Sequence, residues 1–346
     1  MYEIFVADIG GTNSRFALFT AGPDGLVSRR RFLFPTGEAA SFRELFARLL
    51  PQLLPALTRR PDMAVLAVPG VVFDGRRCDP PNIVWDLDLD RDWKPQTEPD
   101  PEPEPKSEPE NDIMRALFQD TPVRMINDFE AQAFAMSRSG LERAAVIQAG
   151  RYDSGRAMAM IGAGTGLGHC GLMPHSDGFV AVPSEAGHAA FAFAGPGERD
   201  FETFVLERLE VRYCCQEHVV SGQGLALVHE FVSGERLAPV EVAARLGDHP
   251  ETVRWFARFY GRAARQYVLA LMATGGLGIA GGVAARNPCL VRDPAFLEEF
   301  RSCRGYETVL GEVPVRLFAD EDNGLFGAAC FGLQELERAA PEPLCR

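Results

Sequence analysis

The sequence predicts an α/β protein of two domains built on one repeated plan, with a cleft between the copies. Three observations carry this. A strand, a glycine turn and a returning strand occur in series near the N-terminus. The same series recurs near the middle of the chain. The 346 residues are enough for two domains, at roughly 150 residues each.

The first series opens with an apolar strand over Tyr2 to Ala7 that ends at Asp8. The turn Ile9-Gly10-Gly11-Thr12-Asn13 follows, then a strand from Arg15 to Phe19 and an apolar run from Phe32 to Phe34. A dinucleotide-binding fingerprint needs a helix directly after its glycines, so that reading is disfavoured. The second series has a strand at Met158 to Ile161, the turn Gly162-Ala-Gly-Thr-Gly166 and a strand from Leu167 to Met173. Gly11-Thr12 and Gly164-Thr165 align.

Helices fill the intervals. Ser41 to Leu50 is amphipathic and is expected to stop at Pro51, because proline lacks the amide hydrogen a helix needs. Glu251 to Thr274 places Val253, Phe256, Tyr260, Ala263, Tyr267 and Leu271 on one face at spacings of three and four. Gly275 and Gly276 are the expected C-cap. Gly324 to Leu336 is the expected last helix.

Composition narrows the function. Hydrophobic residues make up 46% and charged residues 24%, as in a globular chain. With 35 basic and 48 acidic side chains the net charge is −13, which argues against nucleic acid as a partner. Lys94 and Lys106 are the only lysines, so a catalytic lysine is nearly excluded. The start of the chain lacks the pattern of a secretory leader. The uncharged run Val268 to Ala285 has the minimum length of a membrane span, but its five glycines read better as a buried helix running into a buried strand. Eight cysteines without a C-x-x-C pair fit a reduced, cytoplasmic protein. Residues 95–110 are proline-rich and acidic and are expected to form a solvated surface loop.

Glycine turns let backbone N–H groups approach an anion. Gly10, Gly11, Thr12 and Asn13 form one candidate phosphate turn, and Gly164 and Thr165 a second. Asp8 adds a carboxylate able to hold Mg²⁺ directly or through water. Gly281 and Gly282 form a third small-residue turn suited to a flat purine or ribose. Either phosphate turn alone reads better as an ordinary hairpin; the pair with Asp8 favours phosphate. Val123 to Ile126 is a short strand, and Asn127 reads first as the N-cap of a helix over Phe129 to Ala135 with Glu130 at N3. Asp128 at that strand end is also placed to meet a hydroxyl. Glu185 and His188, three apart in a loop, suit sugar hydroxyls better than a metal, and Glu217 and Asn82 are further polar candidates. His169, His175, His218, His229 and His249 have no spacing that suggests chemistry, and neither does the adjacent pair Cys214 and Cys215.

The motifs Asp8-Ile-Gly-Gly-Thr-Asn-Ser-Arg15, Ile126-Asn-Asp-Phe129, Gly162-Ala-Gly-Thr-Gly-Leu-Gly168, Glu185-Ala-Gly-His188, Val219-Val-Ser-Gly-Gln-Gly-Leu225 and Ile279-Ala-Gly-Gly-Val283, in this order, resemble the proteobacterial-type glucokinases. The resemblance implies an actin-like ATPase (ribonuclease H-like) fold. The small domain would span 1–126, completed by a helix at 324–338, and the large domain 127–323. It further implies ATP and glucose as substrates and Mg²⁺ as cofactor. Asp8, Gly10, Gly11, Thr12, Asn13, Gly164 and Thr165 would lie at the phosphates, and Gly281 and Gly282 at adenosine. Asn82, Asn127, Asp128, Glu185, His188 and Glu217 would hold glucose, with Asp128 as base. A homodimer is implied, and the cysteine-rich zinc motif of the related repressor/kinase group is missing. The chain departs from the pattern at residues 95–110 and at Ser184 and Ala186, where glycines are usual. Rival readings are a kinase for another hexose such as mannose, a sugar-responsive regulator and a filament or chaperone ATPase. A filament or chaperone ATPase does not need the sugar set.

Overall fold

The computed structural model describes residues 1–23, 25–92, 118, 120–138 and 140–340. The acidic run 95–110 and both lysines lie outside them. The chain divides into two compact units, Met1–Arg138 with Asp322–Arg346 and Ser139–Glu321.

The first unit contains eight strands among its described residues. They are β1 (Tyr2–Ile9), β2 (Asn13–Gly22), β3 (Gly25–Pro35), β4 (Met63–Val68), β5 (Val72–Phe73), β6 (Arg77–Cys78), β7 (Leu87–Asp88) and β8 (Val123–Asn127). Five of them form the main sheet in the order β3-β2-β1-β4-β8, and β5, β6 and β7 form a small separate sheet. The first three strands run antiparallel in sequence order, and β4 and β8 add in parallel. β4 is buried at every position, as a parallel strand covered on both faces must be.

The core of this unit gathers Phe5, Phe16, Phe42, Phe46 and Leu49. Helix Phe42–Leu53 buries Phe42, Leu45, Phe46, Leu49, Leu50 and Leu53, the stripe expected of an amphipathic helix. Ser41 caps it by accepting the Glu44 N–H at 3.1 Å. It does not stop at Pro51, which lies inside its last turn. Burial of Leu53 there offsets the one lost hydrogen bond. The C-terminal helix Asn323–Ala339 packs against β1 and β4 and against helix Asp128–Phe134. That second contact is closer than side chains permit: a Cβ on Gly327 would lie 1.7 Å from the Ala131 carbonyl oxygen.

The second unit repeats the plan. Its strands are β9 (Ala145–Gln148), β10 (Met158–Ala163), β11 (Leu167–His175), β12 (Gly178–Ser184), β13 (Gly276–Ala280) and β14 (Val315–Leu317). The sheet order is β12-β11-β10-β13-β14-β9. β10, β11 and β12 are antiparallel neighbours, and β13 and β14 add in parallel. β9 closes the far edge antiparallel to β14. Helix Pro250–Leu271 buries Val253, Phe256, Tyr260, Ala263 and Tyr267. It ends earlier than the glycine pair suggested, with Met272 left-handed at the cap. Gly275 instead meets the backbone of 153–157, where a Cβ would lie 2.7 Å from the Arg156 carbonyl oxygen. The uncharged run 268–285 is thus a helix end, a strand and the start of helix Gly282–Arg286. Among the described residues no helix is long and apolar enough to cross a membrane.

Two consequences are measurable. Gly327→Ala must separate two backbones, and we expect a loss of about 1–3 kcal/mol in denaturant unfolding; an unchanged midpoint would contradict the close approach. His169 is buried against the Tyr267 ring, with centroids 4.5 Å apart, and burial pulls its pKa from 6.5 down to about 4. Below 6.5 the unfolded chain takes up a proton that the folded chain refuses, so stability falls as pH drops through this window. The loss from this group is up to about 3 kcal/mol. Denaturant titrations across the window should show that slope in the wild type and a flatter one in His169→Phe.

Candidate active site

In the first unit the turn between β1 and β2 is braced from beneath. Gly10 N–H donates to the Asn13 carbonyl at 3.0 Å, and Thr36 N–H donates to the Thr12 carbonyl at 3.0 Å. The Thr36 hydroxyl, on a residue 1% exposed, donates to the Gly10 carbonyl at 2.6 Å. It lies 2.8 Å from the Ser14 hydroxyl, which is left to donate to it. Gly11 and Thr12 are exposed above this brace. Asn82 packs on the same turn: a Cβ on Gly11 would lie 3.0 Å from its carbonyl oxygen. Nothing in the sequence around Thr36 marks it as a partner of the turn.

Asp8 is the penultimate residue of β1 and pairs with Arg15 of β2. Its carboxylate is crowded by the first turn of the C-terminal helix, where a Cβ on Gly324 would lie 2.9 Å from Asp8 Oδ2 and 3.2 Å from Gln132 Nε2. Asn323 donates through Nδ2 to Gln132 Oε1. Burial raises the Asp8 pKa, and Arg15 opposes that rise. A group so penalised for its charge is a fitting ligand for a hard cation.

Asn127 is the cap that its sequence context suggested. Its Oδ1 accepts the Phe129 N–H at 2.8 Å, and Glu130 accepts the Asn127 N–H. Its Nδ2 donates to the Gly70 carbonyl at 2.8 Å. One N–H of the side-chain amide is left for a ligand. Asp128 is the first residue of the helix, half-buried, with Oδ1 accepting the Phe129 N–H at 2.9 Å. Burial, with Asp128 and Asp79 adding to it, pushes the Cys78 thiol up to about 11. Cys78 therefore stays protonated beside the aspartate and donates to the Pro69 carbonyl at 3.3 Å.

In the second unit three predicted elements meet. Gly164 N–H donates to the Gly166 carbonyl at 2.9 Å, and Gly222 N–H donates to the Gly164 carbonyl at 2.9 Å. Helix Gly222–Ser233 thus begins on the second glycine turn. Gly281, at φ +83°, presses on the same turn; a Cβ there would lie 2.4 Å from the Ala163 carbonyl oxygen. Ala163 N–H donates to the Tyr260 hydroxyl at 3.1 Å. Thr165 is exposed at the tip.

The polar loop residues of this unit also converge. His188 Nε2 lies 3.7 Å from Glu185 Oε2, and His188 Nδ1 lies 3.6 Å from Glu217 Oε1. Glu217 continues the row onto the glycine turn, since a Cβ on Gly166 would lie 2.6 Å from Glu217 Oε2. Backbone bonds hold the loop: Gln216 N–H donates to the Ala189 carbonyl at 2.9 Å, and Phe191 N–H to the Cys214 carbonyl at 2.9 Å. Cys215 joins the group, and the ligand atoms of His188, Cys215 and Glu217 lie within 4.8 Å of one another. These three could hold a metal, although burial raises the Cys215 thiol pKa and so disfavours the thiolate that binds one.

A glucokinase family model matches residues 5–94 and 110–335. The glucokinase of Brucella suis is 28% identical over 343 residues, covering 95% of this chain and 91% of that protein. The glucokinase of Trichormus variabilis is 26% identical, covering 95% and 98%. Among solved structures, a glucokinase from an Antarctic psychrotroph superposes with a TM-score of 0.79 at 26% identity, covering 96% of this chain and 99% of that one. A ROK family glucokinase from Streptomyces griseus, in complex with glucose and AMPPNP, shares the fold at a TM-score of 0.59, 18% identity and coverage of 96% and 99%. The duplicated sheets are those of the actin-like ATPase fold, and with the family model matching nearly the whole chain, this protein belongs to the glucokinase family.

Proposed function

We propose that this glucokinase-family enzyme moves the γ-phosphoryl group of ATP to the 6-hydroxyl of glucose, with Asp128 as the base. The observation that carries the reading is the contiguity of Glu185, His188, Glu217 and Gly166. A row of hydrogen-bonding side chains suited to sugar hydroxyls runs directly into a turn suited to phosphate. Neither a filament ATPase nor a chaperone needs that continuity.

Phosphoryl transfer asks the protein mainly for alignment and charge stabilisation. A chain of net charge −13 with no lysine among its described residues has to meet phosphate charge through other groups. The Gly10-Gly11-Thr12 turn, with Asn13 behind it, and the Gly164-Thr165 turn spend the Gly10 and Gly164 N–H groups on their own bracing and offer the N–H groups of Gly11, Thr12 and Thr165 and the two threonine hydroxyls. Gly281 and Gly282 offer a surface without side chains for adenosine. Asp8 would hold Mg²⁺, which when bound offsets the charge of the phosphates.

Asp128 accepts the 6-hydroxyl proton as the new P–O bond forms and the bond to ADP breaks. Its own N–H···O contact with Phe129 keeps the carboxylate oriented, and Asn127 fixes the helix start that carries it. To glucose hydroxyls we assign Asn82 and Asn127 in the first unit, and Glu185, His188 and Glu217 in the second. Ser184 supports that loop by accepting the Ala186 N–H at 3.2 Å. A panel of hexoses and phosphoryl donors, with the product position identified, tests glucose against mannose and ATP against other donors.

Asp128→Ala should retain the fold and most of the glucose affinity while turnover falls by about 10²- to 10⁴-fold; near-wild-type kcat in a coupled assay would remove Asp128 from this role. Asp8→Asn should raise the Mg²⁺ concentration for half-maximal rate by about tenfold or more and leave the KM for glucose nearly unchanged. Only the carboxylate form holds the cation, so the wild-type Mg²⁺ requirement should rise as pH falls toward the raised Asp8 pKa. The Asp8→Asn variant should lack that trend, and parallel profiles would refute the assignment.

A further inference from the structure

We infer that His229, Glu235 and His249, which the proposed reaction does not use, form a site for one borderline divalent cation of the Zn²⁺ type. One ligand atom from each lies within 4.8 Å of the others. The two imidazoles meet edge to face, with centroids 4.6 Å apart and planes at 83°.

His229 is fully buried and held on both sides. Its Nδ1 lies 3.2 Å from the Thr252 hydroxyl and its Nε2 lies 3.3 Å from the Ser233 hydroxyl. Each hydroxyl can donate or accept. Whichever nitrogen takes the cation, the other therefore keeps its proton and an oxygen to receive it, the usual support of a metal-bound histidine.

Glu235 is exposed and brings a carboxylate from the connection that follows helix Gly222–Ser233. It pairs with Arg245 at 3.1 Å. That guanidinium is half-exposed and can turn to solvent when a cation takes over the charge. Two imidazoles and one carboxylate suit Zn²⁺, Co²⁺ or Ni²⁺ rather than Mg²⁺ or Ca²⁺, and they leave a fourth position for water. The three ligands come from the end of one helix, the following connection and the N-cap of helix Pro250–Leu271. A bound cation would pin these segments together. It would also sit near the C-terminal end of helix Gly222–Ser233, where positive charge is favoured.

The test uses the full chain, stripped with a chelator, and Zn²⁺ alone without nucleotide or sugar. Competition against a chromophoric chelator should give one tight equivalent in the wild type. His249→Ala and Glu235→Gln should each weaken it by at least about tenfold, while both keep metal-free activity in the standard Mg²⁺ assay. Zn²⁺ should raise the unfolding temperature of the wild type and not that of His249→Ala. Co²⁺ should give d–d bands without a thiolate charge-transfer band. Equal Zn²⁺ affinity in the wild type and Glu235→Gln would overturn the inference, and Glu235 is exposed enough for that variant to fold. A thiolate band that vanishes in Cys215→Ser would also overturn it, by placing the cation at His188, Cys215 and Glu217.

Discussion

The first unit depends on how closely the backbone of its C-terminal helix approaches what lies beneath it. Gly327 rests on the carbonyl of Ala131, and Gly332 comes so near the sheet that a Cβ would lie 3.0 Å from Val65 Cγ2. Gly324 does the same above Asp8. One helix therefore sets the depth of helix Asp128–Phe134 and crowds the carboxylate of Asp8. The two acids to which we assign cation holding and proton transfer both lie under one glycine-bearing helix face.

The second unit reaches its arrangement by similar means with different partners. Gly281 lies on Ala163, and Gly187 lies on Leu167, where a Cβ would be 2.3 Å from the carbonyl oxygen. These approaches bring a turn, a helix start and a polar loop to the end of β10. Tyr260 reaches the same point from the long helix and takes the N–H of Ala163. Aromatic burial and backbone geometry at the second turn are therefore one constraint. Enlarging any of these glycines would displace polar groups that never touch it.

Much of this was legible in the chain because it rests on local chemistry. Alternating and continuous apolar runs mark the strands at both glycine turns, and spacings of three and four mark helix Pro250–Leu271. Asn127 and Glu130 announce a capped helix start. Local rules failed where a distant contact decided the outcome. Leu53 carries its helix past Pro51 because the core receives it. Gly275 serves an approach to the backbone of 153–157 and does not close the helix before it. Thr36 braces the first turn across a strand pair, and a lone threonine carries no signal of that. His229 and His249 come together only once two helices have packed, and Cys215 joins His188 only when two loops zip together. Spacing along the chain is blind to all three.

The chain leaves the first unit after Arg138 and comes back to it only at Asp322. On a ribosome, the middle portion is complete and free to fold before the last helix has emerged. Until then β1 and β4 lack their cover, and an apolar sheet face waits in the nascent polypeptide. The sheet of the first unit, though made before the second unit, is thus completed after it, and chaperone demand should fall on that uncovered sheet.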